Sequence, residues 1–248
     1  MLHVEFRFYG NLNDFLKLER RQRSFTHQLQ ESASIKDVIE SLGVPHPEID
    51  LLLVHGEPVD FTYLMQDGDR VSVYPLFYSL PIQEISPVHA PLPTATQFIA
   101  DVHLGKLATN LRLLGFDVLY ENDYPDQELA EVAARERRIV LTCDRGLLKR
   151  NLITYGYCLR SRDPFQQTVE VLQRFGLVSA IVPFQRCLRC NGLLQEAPKA
   201  TVADCLPPLV QQHHDQFRQC QQCQQVYWQG SHYEKLQKLV DSILAACL

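Results

Sequence analysis

Apolar and polar residues alternate through LHVEFRFYG near the start of the chain, a period of two that predicts a half-buried strand. SIKDVIESLG carries apolar positions at helical spacing and stops at Gly43. DLLLVHGEPV predicts a hairpin turning at His55-Gly56, and Asp67-Gly68-Asp69 turns into a further strand, RVSVYPL. Beyond residue 95 the pattern changes. TQFIAD is a short apolar strand ending in an acid, and LGKLATNLRLLG is an amphipathic helix closed by Gly115. FDVLY, DQELAEVAARERR and RIVLTCD then read as strand, helix and strand, the last again ending in an acid. YGYCLRS predicts one more strand, and DPFQQTVEVLQRFG the helix after it. Such alternation predicts an α/β domain: a parallel sheet flanked by helices, with the C-terminal strand ends lining a crevice.

Between the two patterns lies PIQEISPVHAPLPT, with Pro81, Pro87, Pro91 and Pro93, which reads as an extended linker that few contacts should bridge. The expected organisation is a first domain over 1–80, a linker over 81–95, an α/β core over 96–182, and a cysteine-rich region with a C-terminal helix over 183–248. The first domain's strand and helix order resembles the ubiquitin-like β-grasp domains, especially small sulfur carriers. Those carriers act through a C-terminal Gly-Gly tail, and no Gly-Gly occurs in this chain. The resemblance therefore implies an interaction or packing module with a protein partner.

Charge divides along the same line. Before Gln97 there are 7 basic and 13 acidic residues, and from it onward 17 and 16. Clusters at Arg135/Arg137/Arg138 and Arg145/Lys149/Arg150/Arg160/Arg162 would draw a polyanion weakly to the second part, though solvated helix faces explain them equally well. No apolar run approaches the ~20 residues needed to span a bilayer. The opening residues lack a signal-peptide pattern, so a cytoplasmic protein that does not engage a membrane is expected.

Eight cysteines sharpen the picture. Cys187/Cys190 and Cys220/Cys223 form two Cys-x-x-Cys turns, the donor set of a tetrahedral structural Zn²⁺ site with no position left for chemistry. The 29 residues between the pairs exceed the usual spacing of roughly 15–20, which an insertion accommodates at small entropic cost. His213 and His214 lie between the pairs but are not needed for a four-sulfur site.

Any reaction then falls to the acids. Asp101 and Asp144 follow apolar strands, where two carboxylates can share Mg²⁺ or Mn²⁺. Asp126 and Glu128 open the intervening helix, and Asp163 precedes Pro164 at the next helix start. Each has an ordinary alternative as turn residue, helix cap or solvated charge. Thr142 can orient a carboxylate or simply favour a strand end, and Tyr227 and Trp228 can stack on bases or cover the ribbon core.

FIADVHLGKLATNLRLLGFDVLY, ENDYPDQELAEVAARERRIVLTCDR, CLRCN and CQQCQQVYWQGSH together resemble the RNase domain at the C-terminus of the mut-seven exonucleases, over roughly residues 97–240. The resemblance implies a PIN-like nuclease fold with a zinc ribbon. It also implies RNA as substrate, and Mg²⁺ or Mn²⁺ held by Asp101, Asp126 and Asp144. Thr142 and Asp144 match the Thr-x-Asp motif, Asp123 and Glu128 neighbour the middle acid, and Asp163 matches by distance from Asp144. The implied activity is a metal-dependent ribonuclease. The alternative is a non-catalytic RNA-binding or adaptor protein using the ribbon and the ubiquitin-like domain.

Overall fold

The computed structural model describes residues 1–75, 86–88 and 96–247. Of the linker, only 86–88 falls within that range. The chain separates into two compact units, Met1–Ala95 with Pro125–Cys158, and Thr96–Tyr124 with Leu159–Leu248.

In the first unit, β1 (Leu2–Phe8), β2 (Phe25–Leu29), β3 (Ile49–Val54), β4 (Glu57–Pro58) and β5 (Arg70–Pro75) form a sheet of order β2-β1-β5-β3-β4. β1 runs parallel to β5 and antiparallel to β2. The alternation read in β1 buries Val4, Phe6 and Phe8, and Ile35, Val38 and Ile39 of helix α1 (Ile35–Ser41) are buried as well. Ser34 caps α1: its hydroxyl accepts the Asp37 N–H and donates to the Asp37 carboxylate. The β3–β4 turn has His55 and Gly56 both at positive φ, 53° and 94°, the tight-hairpin geometry that this dipeptide predicts. β2 is absent from the sequence reading because its half-buried positions are Phe25, His27 and Leu29, and a histidine breaks the apolar alternation of this edge strand.

The same unit holds α3 (Asp126–Glu136), β8 (Ile139–Thr142), α4 (Arg145–Leu148) and β9 (Gly156–Cys158), with β8 and β9 parallel. Contrary to the sparse contact that the proline-rich stretch suggests, residues 145–158 are tied to the first 80 residues. The fully buried Glu48 carboxylate accepts the Cys158 N–H at 2.6 Å. His46 bridges the Glu40 carboxylate and the Ile153 carbonyl at 2.7 and 2.8 Å. Lys149 Nζ donates to the Glu40 carbonyl, and Lys36 Nζ donates to Asn151.

In the second unit β6 (Gln97–Ala100) pairs in parallel with β7 (Asp117–Leu119), and α2 (Gly105–Leu113) packs against β7 and α5 (Pro164–Arg174). The helical spacing puts Leu107, Ala108 and Leu111 of α2 in the core. Gly115 ends the helix at φ 100°, where a Cβ would overlap the Val182 carbonyl. A three-stranded antiparallel sheet follows, β10 (Leu194–Ala197), β11 (Phe217–Cys220) and β12 (Val226–Trp228). Between β10 and β11 the insertion folds into two short helices, α6 (Lys199–Val202) and α7 (Pro208–His213). Val202 and Leu206 of the insertion bury against Ala197, Phe217 and Val226, with Trp228 packed on them. The long gap between the cysteine pairs is thus a small core of its own. Helix α8 (Ser231–Cys247) closes the chain and packs on α5. The architecture is the mixed α/β fold with parallel strands, flanking helices and a β-rich first domain that the hydrophobic pattern predicts. Among the described residues, no helix is long and apolar enough to cross a membrane.

Candidate metal centre and acidic strand ends

The four paired cysteines converge: their sulfurs all lie within 4.8 Å of one another. Cys187 and Cys223 are 3.6 Å apart, and Cys190 and Cys220 are 3.4 Å apart. A tetrahedron with metal–sulfur bonds of about 2.3 Å has edges of about 3.8 Å, so the donor set fits one zinc ion. Local backbone geometry builds each turn. The Asn191 N–H bonds the Cys187 carbonyl and the Gln224 N–H the Cys220 carbonyl, with Asn191 and Gln224 at positive φ, 71° and 60°. The Gln222 and Cys223 N–H groups point at Cys220 Sγ, 3.4 and 3.5 Å away. Gly192 has no room for a side chain, because a Cβ would stand 2.8 Å from Cys220 Sγ.

Burial raises the Cys187 thiol, but hydrogen bonds from the Tyr227 hydroxyl and the Cys190 and Arg189 backbone outweigh it and hold it at about 7. Burial instead pushes Cys190 up to about 12. Tyr227 accepts the Leu188 N–H and reaches Cys187 Sγ, both at 3.1 Å. Both Tyr227 and Trp228 therefore serve the ribbon, the first at the sulfur and the second on the insertion core.

The ribbon is anchored by residues outside the two cysteine motifs. Arg112 of α2 is buried, donating Nε to the Val118 carbonyl and Nη1 to the Leu188 and Arg189 carbonyls inside the first cysteine turn. Asn191 donates to Asp117 at 2.8 Å and accepts the Val118 N–H, while Arg186 pairs with Asp117 at 3.2 Å. Arg112 thus commits its guanidinium to backbone carbonyls at and beside the ribbon. Its signal in the sequence is an arginine on the core face of an amphipathic helix, four residues after Ala108.

The acids sit in the two units as follows. In the second unit, Asp101 follows β6 directly, only 8% exposed, and its carbonyl accepts the Leu104 N–H in a 3₁₀ turn. The Tyr120 hydroxyl donates to the Val102 carbonyl at 3.0 Å and holds that turn. A Cβ on Gly105 would collide with Tyr120. His103 and Lys106 are exposed just after it. Asp163 is exposed and caps α5, accepting the Gln166 N–H at 3.0 Å.

In the first unit, Thr142 is fully buried at the end of β8 and its hydroxyl accepts the Asp144 N–H at 2.9 Å. Asp144 is exposed and caps α4 through Oδ1, which accepts the Gly146 N–H at 2.7 Å. Arg145, the next residue, lies 4.9 Å over the Phe15 ring and donates to the Phe15 carbonyl at 3.3 Å. Asp126 is the first residue of α3, with Pro125 rather than an acid in the cap position. Asp126 pairs with Arg150 at 3.4 Å, and Glu128 is exposed in the same first turn.

Residues 96–240 match the family model described as the Mut7-C RNAse domain. Residues 1–81 match the model described as Mut7-C ubiquitin. No curated protein and no solved structure matches the chain.

Proposed function

Because the chain belongs to the Mut7-C RNase domain family, joined to that family's ubiquitin-like domain, we propose that it is a ribonuclease hydrolysing RNA phosphodiesters with Mg²⁺ or Mn²⁺. The family carries the coarser statement, a nuclease and RNA-related role. The observation supporting the finer one is the placement of Asp101 and Asp144, each within two residues of the end of a buried parallel strand. Their carboxylates are hard oxygen donors suited to Mg²⁺ or Mn²⁺, and with Asp126 they are the residues that would hold it. When bound, the ion would supply Lewis-acid stabilisation of phosphate oxygens and a more acidic water. Asp144 uses Oδ1 for its cap and keeps Oδ2 for ligation. Thr142 fixes the backbone of Asp144, and so aims the carboxylate. His103 and Lys106, exposed beside Asp101, meet the RNA phosphates. Glu128 and Asp163 remain accessory acids, Asp163 alongside its role as cap.

The cysteine centre takes Zn²⁺ in a structural role and extends the RNA-contacting surface through the ribbon. The ubiquitin-like domain is a protein-interaction module. A chain whose cysteines serve as thiols and metal ligands suits a reducing compartment, the cytoplasm. The domain limits 1–80, 81–95, 96–182 and 183–248 belong to the same proposal. A second reading, a non-catalytic RNA-binding adaptor, is favoured by Asp144 and Asp163 both serving as helix caps and by the Asp126–Arg150 pair. RNA cleavage with Mn²⁺, comparing the wild type with Asp101→Asn and Asp144→Asn, separates the two. A ribonuclease loses turnover in both variants while RNA binding persists. An adaptor shows binding without metal-dependent cleavage in any of the three.

A further inference from the structure

The ubiquitin-like domain spends one face on its own chain, at the segment that carries the Thr-x-Asp motif. Glu48, on the 3₁₀ turn before β3, is fully buried and accepts the Cys158 N–H at the end of β9. Its neighbour His46, also buried, spans from Glu40 to the Ile153 carbonyl, in the loop between α4 and β9. Lys149, just past α4, reaches the Glu40 carbonyl. Arg145, the first residue of α4, stacks on Phe15 and donates to its carbonyl. A Cβ on Gly156 would press on Leu148 and stand 3.5 Å from Pro47, so β9 enters this contact at close range. These contacts run from the first residue of α4, the helix capped by Asp144, through the loop after it to the end of β9. A buried carboxylate is costly unless its oxygens are paired, so Glu48 marks a built interface rather than chance proximity. Both sides supply donors and acceptors: Glu48 and the Glu40 and Phe15 carbonyls meet the Cys158 N–H, Lys149 and Arg145, while His46 and Lys36 meet the Ile153 carbonyl and Asn151.

We propose that the ubiquitin-like domain acts in cis as the clamp that holds α4 and β9, with Glu48 as a positioning residue for the Thr142–Asp144 turn. The partner of this face is the chain's own nuclease segment, and any other protein must dock on a different face. The catalytic half of the proposal rests on the ribonuclease reading, while the clamp itself does not.

The test uses the full chain with Glu48→Ala and Glu48→Gln. Amide hydrogen exchange over residues 144–158 reads the clamp, and Mn²⁺-dependent RNA cleavage reads its consequence. Glu48→Ala should speed exchange at Cys158 and through α4 by tenfold or more. It should lower kcat by about tenfold and raise the Mn²⁺ concentration for half-maximal rate, with KM for RNA within about twofold. Glu48→Gln keeps an oxygen for the Cys158 N–H and should recover part of both losses. Should Glu48→Ala not fold, Lys149→Met removes a peripheral tether and is read in the same way.

Unchanged exchange in the variants overturns the clamp. Faster exchange with unaltered kcat and Mn²⁺ dependence overturns the positioning role, leaving a domain that merely stabilises. If the wild type cleaves no RNA, the ribonuclease reading falls separately. Mn²⁺ affinity measured by calorimetry in the same variants then decides positioning, with equal affinity overturning it.

Discussion

The four-cysteine centre and the acidic strand ends are built on opposite principles. In the ribbon four ligand atoms meet, and backbone N–H groups, Tyr227 and the Arg112 guanidinium hold them in place. Each acid instead rests on its own short local device: a 3₁₀ turn at Asp101, a cap at Asp144 and Asp163, and an ion pair at Asp126. A structural metal site is over-determined, so that loss of one member propagates. An acid at a helix start can be neutralised with little disturbance around it.

The sharpest break of that contrast is removal of metal. Chelation, or Cys187→Ser, should unfold residues 183–248, since structural zinc contributes on the order of 10 kcal/mol in such modules. Elemental analysis and the far-ultraviolet circular dichroism of the chelated protein check this, and a zinc-free ribbon with unchanged spectra would refute it. Asp144→Asn comes next. Turnover should drop by about a hundredfold or more, equivalent to roughly 3 kcal/mol of barrier. Stability should stay within about 1 kcal/mol, because asparagine also caps. A melt and a cleavage assay on one preparation read both, and full activity would remove Asp144 from the site.

Arg112→Met should couple the ribbon to its anchor. It strands three carbonyls, of which that of Val118 is in a buried setting and costs about 1–3 kcal/mol, the other two less where water reaches them. The melting temperature should fall and zinc should exchange faster, and zinc retention at the wild-type rate would show that the anchor is dispensable. The smallest effect belongs to the end of α3. Hydrogen bonding from Arg138 and Arg135 holds Glu136 below the usual carboxylate range. A depressed folded-state value gives stability that is present above the unfolded pKa and disappears as pH falls through the folded one. For this partly exposed group the contribution is under about 1 kcal/mol. Denaturant titrations of wild type and Glu136→Gln should therefore differ near pH 7 and converge in acid.

What the sequence determined by itself is local. A period of two fixed β1, periods near 3.6 fixed α1, α2, α3 and α5, and His55-Gly56 fixed a hairpin, because these depend on residues within one or two turns of chain. The Cys-x-x-Cys spacing announced the metal centre for the same reason: each turn is complete within about six residues. The tertiary structure decided what distant residues do to one another. Arg112 is one arginine among many until Leu188 and Arg189 are folded against it, and Glu48 is one acid among many until Cys158 arrives 110 positions later. The caps on Asp144 and Asp163 were legible as alternatives, since they bond backbone two and three residues on. The anchoring of the ribbon and the clamp on α4 were not, because long-range hydrogen bonds to backbone leave no periodicity or motif at either end. Their strength comes from burial, which is a property of the assembled fold and of no single segment.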